Sequence, residues 1–270
     1  YFPVVPQASV ESRYLGLVTA GEIENLKEKM VLLAETAEKT LDLDGILQLA
    51  QSTVTLEYKK PSLPPLQQVS VRIGVALDEA FCFYYADNLE LLEEMGAKLV
   101  PFSPLHDKSL PPDLDGLYLG GGYPELYARL LAENETMRQS VRQAVTNEMP
   151  TIAECGGFLY LQQSLADRTG NDFPMAGALP GKGQMTDRLV RFGYVDLLSR
   201  REQMICPAGG QIRGHSFHYS DTTKNGESFL ARKRKDEYFC VQAGPRLYAG
   251  YPHLYFWSNP DAASRFLAQC

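Results

Sequence analysis

The chain has 270 residues, of which 44% are hydrophobic and 22% charged, and this is the composition of a folded protein rather than a disordered one. Its formal charge of −7 argues against a role on nucleic acid or on anionic membranes, because both need a basic protein surface. The length suits one domain with an extension, and no apolar run in the sequence is long enough to span a membrane.

The cysteines also limit the possibilities. There are five, widely scattered and without a CxxC pair, so we expect no zinc site. Free thiols, with no visible secretory signal, indicate the reducing cytoplasm. The first residue is Tyr1 rather than Met, and we expect the chain to be part of a longer polypeptide.

Residues 1–58 differ from the rest of the chain in the pattern of their apolar residues. After a short apolar run at 14–18, Thr19 is the predicted N-cap of a helix. Its apolar positions recur at helical spacing, at Ile23, Leu26, Met30, Leu33 and Ala37. A second helix is predicted over 43–51. Residues 59–70 are rich in proline and lysine, which predicts a linker.

From residue 71 onward, predicted strands alternate with predicted helices. The strands are 71–76, 97–102, 114–119 and 151–154, and the helices are 87–95, 124–132 and 135–147. This alternation predicts an α/β fold with a doubly wound, mostly parallel sheet, in which ligands bind at the carboxyl ends of the strands. After about residue 185 the pattern becomes strand-rich, with predicted strands at 189–198, 214–219, 238–242 and 247–256.

The segment from Pro150 to Leu161 is the most informative in the chain. It predicts a short buried strand, then Cys155, then Gly156 and Gly157, then the start of a helix. A cysteine on such a turn exposes its sulfur, and the N–H groups that open the helix favour a thiolate. The pattern predicts a nucleophile, although buried structural cysteines are also common at strand ends.

A cysteine nucleophile needs a base, which is usually histidine. The chain has four histidines. His106 lies in a polar loop, where we expect it to face solvent. His215 and His218 lie in one predicted strand, whose alternation puts them on opposite faces. By spacing alone, His253 and His218 are nearly equal candidates for the base.

The chemistry also needs N–H donors for the oxyanion that forms when a thiolate attacks a carbonyl. The N–H of Gly156 is one candidate, and the glycine-rich turn at 120–125 could supply another. This turn is not a phosphate-binding loop, because the pattern GxxxxGKS or GxxxxGKT is absent from the chain.

Four motifs carry a family resemblance. They are Gly-Gly-Gly-Tyr-Pro-Glu at 120–125, Ala-Glu-Cys-Gly-Gly-Phe at 153–158, Gly-His-Ser-Phe-His-Tyr-Ser at 214–220 and Tyr-Pro-His-Leu-Tyr-Phe at 251–256. In this order they resemble the class I glutamine amidotransferase domain of the cobyrinate a,c-diamide synthase family. That resemblance implies a flavodoxin-like amidotransferase domain at 71–270, a linker at 59–70, and at 1–58 the C-terminal part of an ATP-dependent α/β synthetase domain.

The resemblance also implies a mechanism. Cys155 would attack the side-chain amide of glutamine, and His253 would shuttle the proton. Gly156, with Gly121 or Gly122, would hold the oxyanion. The ammonia would amidate the a and c side-chain carboxylates of cobyrinic acid in cobalamin biosynthesis, after activation by ATP and Mg2+ in the synthetase domain. We expect that ATP site mostly outside this chain, no cofactor or metal in the amidotransferase domain, and a homodimer as a compatible assembly.

The sequence departs from its relatives at three positions. Many related glutaminases have a glutamate two residues after the base, whereas the cobalamin branch generally lacks this acid and often has a histidine there, and this chain has Tyr255. Ser216 and Cys82 replace a usual glutamate and asparagine, and we expect a structural role for Cys82. Three alternatives stay open: a ligase acting on hydrogenobyrinate or a nickel tetrapyrrole, a stand-alone cysteine hydrolase, and a module without catalysis.

Overall fold

The computed structural model describes residues 1–13, 16–18, 20–59, 62–64 and 70–270. Two compact units divide the chain, Tyr1–Ser62 and Leu63–Cys270, and the division falls within the predicted linker. No helix in these ranges is long and apolar enough to cross a membrane.

The first unit contains two short antiparallel strands and two helices. They are β1 (Ser12–Arg13), β2 (Gly16–Leu17), α1 (Leu26–Thr40) and α2 (Leu43–Gln51). The predicted bounds of α2 are confirmed, and the carboxylate of Asp42 caps this helix by accepting from the N–H of Gly45 at 2.9 Å. Thr19, the predicted cap of the first helix, lies outside the described residues, as do Tyr14 and Leu15 of the apolar run.

The second unit is larger and alternates strands with helices through its first half. Its strands are β3 (Val71–Ala76), β4 (Phe81–Phe83), β5 (Ala97–Phe102), β6 (Gly116–Leu119), β7 (Gly121–Gly122), β8 (Thr151–Glu154), β9 (Ser164–Ala166), β10 (Asp172–Pro174), β11 (Lys182–Met185), β12 (Gly193–Ser199), β13 (Gln211–Ser216), β14 (Ser220–Thr222), β15 (Phe229–Arg232), β16 (Glu237–Cys240), β17 (Gln242–Gly244), β18 (Leu247–Gly250) and β19 (His253–Leu254). Its helices are α3 (Ala86–Glu94), α4 (Ala128–Glu133), α5 (Glu135–Thr146), α6 (Gly156–Leu161) and α7 (Pro260–Leu267).

A six-stranded sheet lies at the centre of this unit, in the order β17-β18-β8-β6-β3-β5. All neighbouring strands in it are parallel except the edge strand β17. Successive residues of β6 and β8 face two different hydrophobic cores: Tyr118 and Ile152 face one, and Leu117 and Ala153 face the other. Burial on both faces is typical of a doubly wound parallel sheet, and it confirms the predicted architecture.

The strand-rich second half forms two further sheets. Five antiparallel strands are arranged β16-β15-β12-β13-β19, and four strands are arranged β10-β9-β11-β14. The strand predicted at 214–219 is wrong in its limits, because β13 ends at Ser216 and His218 lies beyond it. The alternation argument for His215 and His218 therefore does not apply.

The predicted single strand at 247–256 is also wrong. It is two short strands in different sheets: β18 is a parallel neighbour of β8, whereas β19 pairs with β13. Pro252 lies in the break, and proline lacks the N–H that a continuous ladder would need. Because the chain passes from one sheet to the other at this break, it leaves the central sheet after Gly250, and His253 lies beside the carboxyl end of β8.

Candidate active site

Cys155 occupies a strained turn between β8 and α6. Its φ of 47° and ψ of −98° lie outside the regions that residues with a side chain usually adopt. The backbone is held on both sides: its N–H donates to the carbonyl of Gly250 at 2.8 Å, and its carbonyl accepts from the N–H of Leu159 at 3.0 Å. Cys155 is only 7% exposed, so its side chain is largely shielded from bulk solvent instead of exposed as the turn had predicted.

His253 lies next to this thiol and is only 4% exposed. The edge of its ring packs against Phe83, with 4.7 Å between the ring centroids. Burial alone would lower the pKa of His253, but the side-chain contacts with Cys155 and Glu154, and the charges of these groups, raise the pKa to about 10. The structure therefore brings the predicted nucleophile and base together and favours the imidazolium.

Glu154 is a third polar residue of the site, and its role was not predicted from the sequence. It is 1% exposed and ends β8, directly before the nucleophile. Its Oε1 accepts from the backbone N–H of Leu254 at 2.9 Å. Its Oε2 accepts from the hydroxyl of Tyr118 at 3.1 Å and lies 3.5 Å from Nδ1 of His253. A glutamate at the end of a buried strand was the available signal, because a buried charge needs partners.

The predicted oxyanion glycines also meet at this site. A Cβ on Gly156 would lie 3.1 Å from the backbone nitrogen of Gly122 and 3.4 Å from the carbonyl carbon of Gly121. The N–H of Gly157 donates to the carbonyl of Gly120 at 2.9 Å and ties the two turns together. Gly156 is the first residue of α6, where N–H groups have no acceptor within the helix.

At two of these glycines the surrounding atoms leave no room for a side chain. A Cβ on Gly121 would lie 2.3 Å from Cε1 of His253, so the imidazole ring uses the space where a side chain would stand. Gly122 has a φ of 154°, and a Cβ on it would lie 2.1 Å from the carbonyl oxygen of Ala80. The glycine turn therefore leaves room for the ring of the proposed base, in addition to its proposed role as a donor to the oxyanion.

His218 occupies a different environment from His253. Its Nδ1 is 2.7 Å from the carbonyl oxygen of Ser220, and its ring stacks on Tyr251 with 3.7 Å between centroids. Burial, which outweighs this hydrogen bond, lowers the pKa of His218 to about 3. A neutral, stacked His218 fits a structural part of the site wall better than a base.

The remaining sequence candidates, His106, Cys82 and Tyr255, have other surroundings. His106 is exposed, as predicted, and its Nε2 is 2.9 Å from Oε2 of Glu79. Cys82 is an exposed residue of β4, so it does not pack in a core, whereas its neighbour Phe81 is buried. Tyr255 is 40% exposed and packs edge-on against Tyr85, so it does not replace the acid that related glutaminases place there.

The arrangement suits nucleophilic attack on a carbonyl. Cys155, His253 and the glycine turn lie together at the carboxyl end of a parallel sheet. Within the described ranges, no group of three or more His, Cys, Asp or Glu side chains could hold a metal ion.

Comparison with known families agrees with this geometry. Residues 72–261 match the model of the CobB/CobQ-like glutamine amidotransferase domain. The cobyrinate a,c-diamide synthase of Caldanaerobacter subterraneus subsp. tengcongensis is 37% identical over 274 residues, which cover 100% of this chain and 60% of that protein. The synthase of that name from Syntrophotalea carbinolica is 41% identical over 268 residues, which cover 96% of this chain and 58% of that protein. The chain thus spans about three fifths of the length of these curated relatives.

Solved structures show the same fold. A glutamine amidotransferase crystal structure matches with a TM-score of 0.50 and 20% identity, over 73% of this chain and 97% of that chain. PurLQS from Thermotoga maritima matches with a TM-score of 0.50 and 15% identity, over 74% of this chain and 97% of that chain. The predicted α/β amidotransferase fold is confirmed.

Proposed function

Because this chain belongs to the CobB/CobQ-like glutamine amidotransferase domain family, we propose that it hydrolyses glutamine, with Cys155 as nucleophile and His253 as base. The observation that carries the proposal is the contact between the His253 ring and a cysteine held on a strained turn. A thiolate is the reactive form of cysteine, and a neighbouring imidazolium stabilises it.

The chemistry proceeds in two halves. The Cys155 sulfur forms a bond to the side-chain amide carbon of glutamine, and a tetrahedral oxyanion results. His253 donates a proton to the amide nitrogen, the C–N bond breaks, and ammonia leaves a glutamyl thioester on the cysteine. Water, deprotonated by His253, then attacks the thioester, and glutamate is released with the thiolate restored.

The oxyanion is the step at which the glycines act. We assign the N–H of Gly156 and an N–H from Gly121 or Gly122 to the negatively charged oxygen. This assignment is supported by the close approach of Gly156 to the glycine turn. Loss of one such donor costs about 3–4 kcal/mol of transition-state stabilisation in well-studied cases.

For the whole protein we propose the activity named for its relatives, the amidation of the a and c side-chain carboxylates of cobyrinic acid. Hydrogenobyrinate or a nickel tetrapyrrole are the alternative acceptors. ATP and Mg2+ would activate those carboxylates in a synthetase domain.

Residues 1–58 are proposed to be part of that synthetase domain. Their helices α1 and α2 bury no residue, although they carry apolar side chains. The exposed ones include Met30, Val31, Ile46, Leu47 and Leu49. Such a surface is typical of a segment that packs within a larger domain.

We propose a cytoplasmic protein, supported by the thiols of Cys155, Cys206, Cys240 and Cys270, none of which forms a disulfide. A homodimer stays a prediction, to be measured by analytical ultracentrifugation.

Replacing Cys155 tests the proposed function. In the full-length protein, Cys155→Ala should abolish glutamine hydrolysis and leave amidation driven by added ammonia intact, because only ammonia generation uses the thiol. An electrophilic glutamine analogue should label the parent at Cys155. Cys82→Ala, which removes an exposed cysteine, should be labelled like the parent.

The alternatives give different outcomes. Loss of both glutamine-driven and ammonia-driven amidation in a folded Cys155→Ala protein would contradict the division of labour. Glutamine hydrolysis in the full-length protein without any ATP-dependent amidation would favour a stand-alone cysteine hydrolase. Absence of labelling at Cys155 in the parent would favour a module without catalysis.

A further inference from the structure

The imidazole of His253 needs a partner on the nitrogen that faces away from the thiol. A base is effective only when its ring is held in one orientation and tautomer, and a carboxylate on the far nitrogen usually does this. The position two residues after His253 holds Tyr255, which is partly exposed and packs against Tyr85. The chain therefore has no acid at the position where related glutaminases carry one.

Glu154 lies where such an acid is needed. Its Oε2 is 3.5 Å from Nδ1 of His253, and Nδ1 has no hydrogen-bond partner elsewhere in the part of the chain that the structure describes. A separation of 3.5 Å is long for a hydrogen bond. Catalytic hydrogen bonds are often long before substrate binds and shorten in the complex.

The carboxylate is held in place and still has capacity to accept. The backbone N–H of Leu254 occupies one oxygen and the hydroxyl of Tyr118 occupies one site on the other. A carboxylate has about four lone-pair sites, so Oε2 can accept from Nδ1 as well. A buried carboxylate without a cationic neighbour would be costly, and His253 is that neighbour.

The covalent connections make the arrangement rigid. Glu154 directly precedes Cys155, and its acceptor bond goes to Leu254, the residue after His253. One carboxylate therefore links the backbone of the nucleophile to the backbone of the base.

We propose that Glu154 is a positioning residue: its carboxylate accepts the Nδ1 proton of His253, directs Nε2 toward the Cys155 sulfur and stabilises the imidazolium. This inference rests on the proposed glutaminase function. It places the acid of the catalytic group before the nucleophile in sequence instead of after the base.

The pH dependence involves every titratable group that faces His253. Cys155 and Glu154 raise its pKa, and both interact with it from the β8 side. His215 and His218 are also close enough to interact with it electrostatically. Removing the Glu154 charge takes away one of the effects that raise the pKa of His253, so this pKa should fall from about 10.

The test compares Glu154→Gln, Tyr255→Phe and the parent as full-length proteins, with thermal unfolding as the measure of folding. For Glu154→Gln we expect kcat for glutamine hydrolysis to fall roughly 10²–10⁴-fold, the range for a disrupted acid–base group, with KM for glutamine little changed. The alkaline limb of the pH profile should move to lower pH. Tyr255→Phe should keep the kcat and pH profile of the parent.

A folded Glu154→Gln protein with the kcat and pH profile of the parent would overturn the proposal. If Glu154→Gln does not fold, Glu154→Asp replaces it, because the shorter side chain keeps the charge and withdraws the oxygens from Nδ1. A reduced kcat at unchanged KM is then expected, and an unchanged kcat would overturn the inference. A parent that hydrolyses no glutamine would instead refute the proposed glutaminase function.

Discussion

At Gly121 the active site has no room for a side chain. A Cβ there would lie 2.3 Å from Cε1 of His253 and 3.2 Å from Nε2 of the same ring. The neighbouring atoms belong to a side chain, so Gly121→Ala should displace the imidazole and leave the fold intact. We expect kcat for glutamine hydrolysis to fall at least about 10-fold, because misplacement of a catalytic group by about 1 Å can cost a factor of 10².

Two other glycines serve as comparisons for Gly121→Ala. Gly244→Ala should behave like the parent, because nothing lies within 4 Å of the added methyl group. Gly122→Ala should lower the unfolding temperature, since its Cβ would meet the backbone oxygen of Ala80 at 2.1 Å. Full activity in folded Gly121→Ala would contradict the placement of His253.

At the level of elements, α3 fixes the segment that carries the base. Asn88, buried in α3, donates from Nδ2 to the carbonyl of Leu254 at 2.7 Å and accepts at Oδ1 from the N–H of Phe256 at 2.9 Å. These two bonds hold β19 from the helix side, while Glu154 holds it from the sheet side.

Removing the Asn88 amide should therefore weaken both the fold and the site. Asn88→Ala leaves two backbone groups unsatisfied, at a cost of about 1–3 kcal/mol each. The urea midpoint should fall without a change in the m-value, and kcat should fall as β19 loosens. Asn171→Ala, at an exposed asparagine, is the control. An Asn88→Ala midpoint equal to that of the parent would show that α3 does not restrain β19.

Three strands of the central sheet could be predicted from the sequence with their limits, because they are short, largely apolar runs. The predicted limits of β3, β5 and β8 are confirmed. The crossing after Gly250 was missed because residues 247–256 are almost uniformly apolar and aromatic. Hydropathy alone does not distinguish one strand from two strands in different sheets, although Pro252 was a local signal.

Prediction of the active-site residues from the sequence was limited in a similar way. Cys155 and the glycine turns carry local motifs, so their roles could be predicted from spacing and resemblance. The choice of His253 over His218 needed the resemblance, because spacing left both open. Glu154 was missed because its contacts with Leu254 and His253 join residues about 100 positions apart. No pattern along the chain reports contacts of that separation.

At the scale of the whole molecule, the second unit holds both hydrophobic cores. Every residue of these cores lies between Leu63 and Cys270. Residues 63–270 produced alone should therefore unfold in one cooperative thermal transition and be labelled at Cys155 by the glutamine analogue. Residues 1–62, which bury few apolar groups among their described positions, should show no such transition.

Two results would contradict this division. One is a shortened protein that lacks a cooperative transition. The other is a shortened protein that unfolds cooperatively but is no longer labelled, while the full chain is. The second result would mean that residues 1–62 contribute to the reactivity of the thiol.

The pairing of β18 with β8 has a consequence for measuring the quality of a preparation. The carbonyl of Gly250 accepts from the N–H of Cys155, and three residues later the chain supplies His253. A slip of one residue between these strands would turn each side chain to the opposite face and separate base from nucleophile. Molecules with that error would not react with the glutamine analogue. The fraction of protein labelled by the analogue therefore counts correctly paired molecules, which optical spectra of secondary structure do not distinguish.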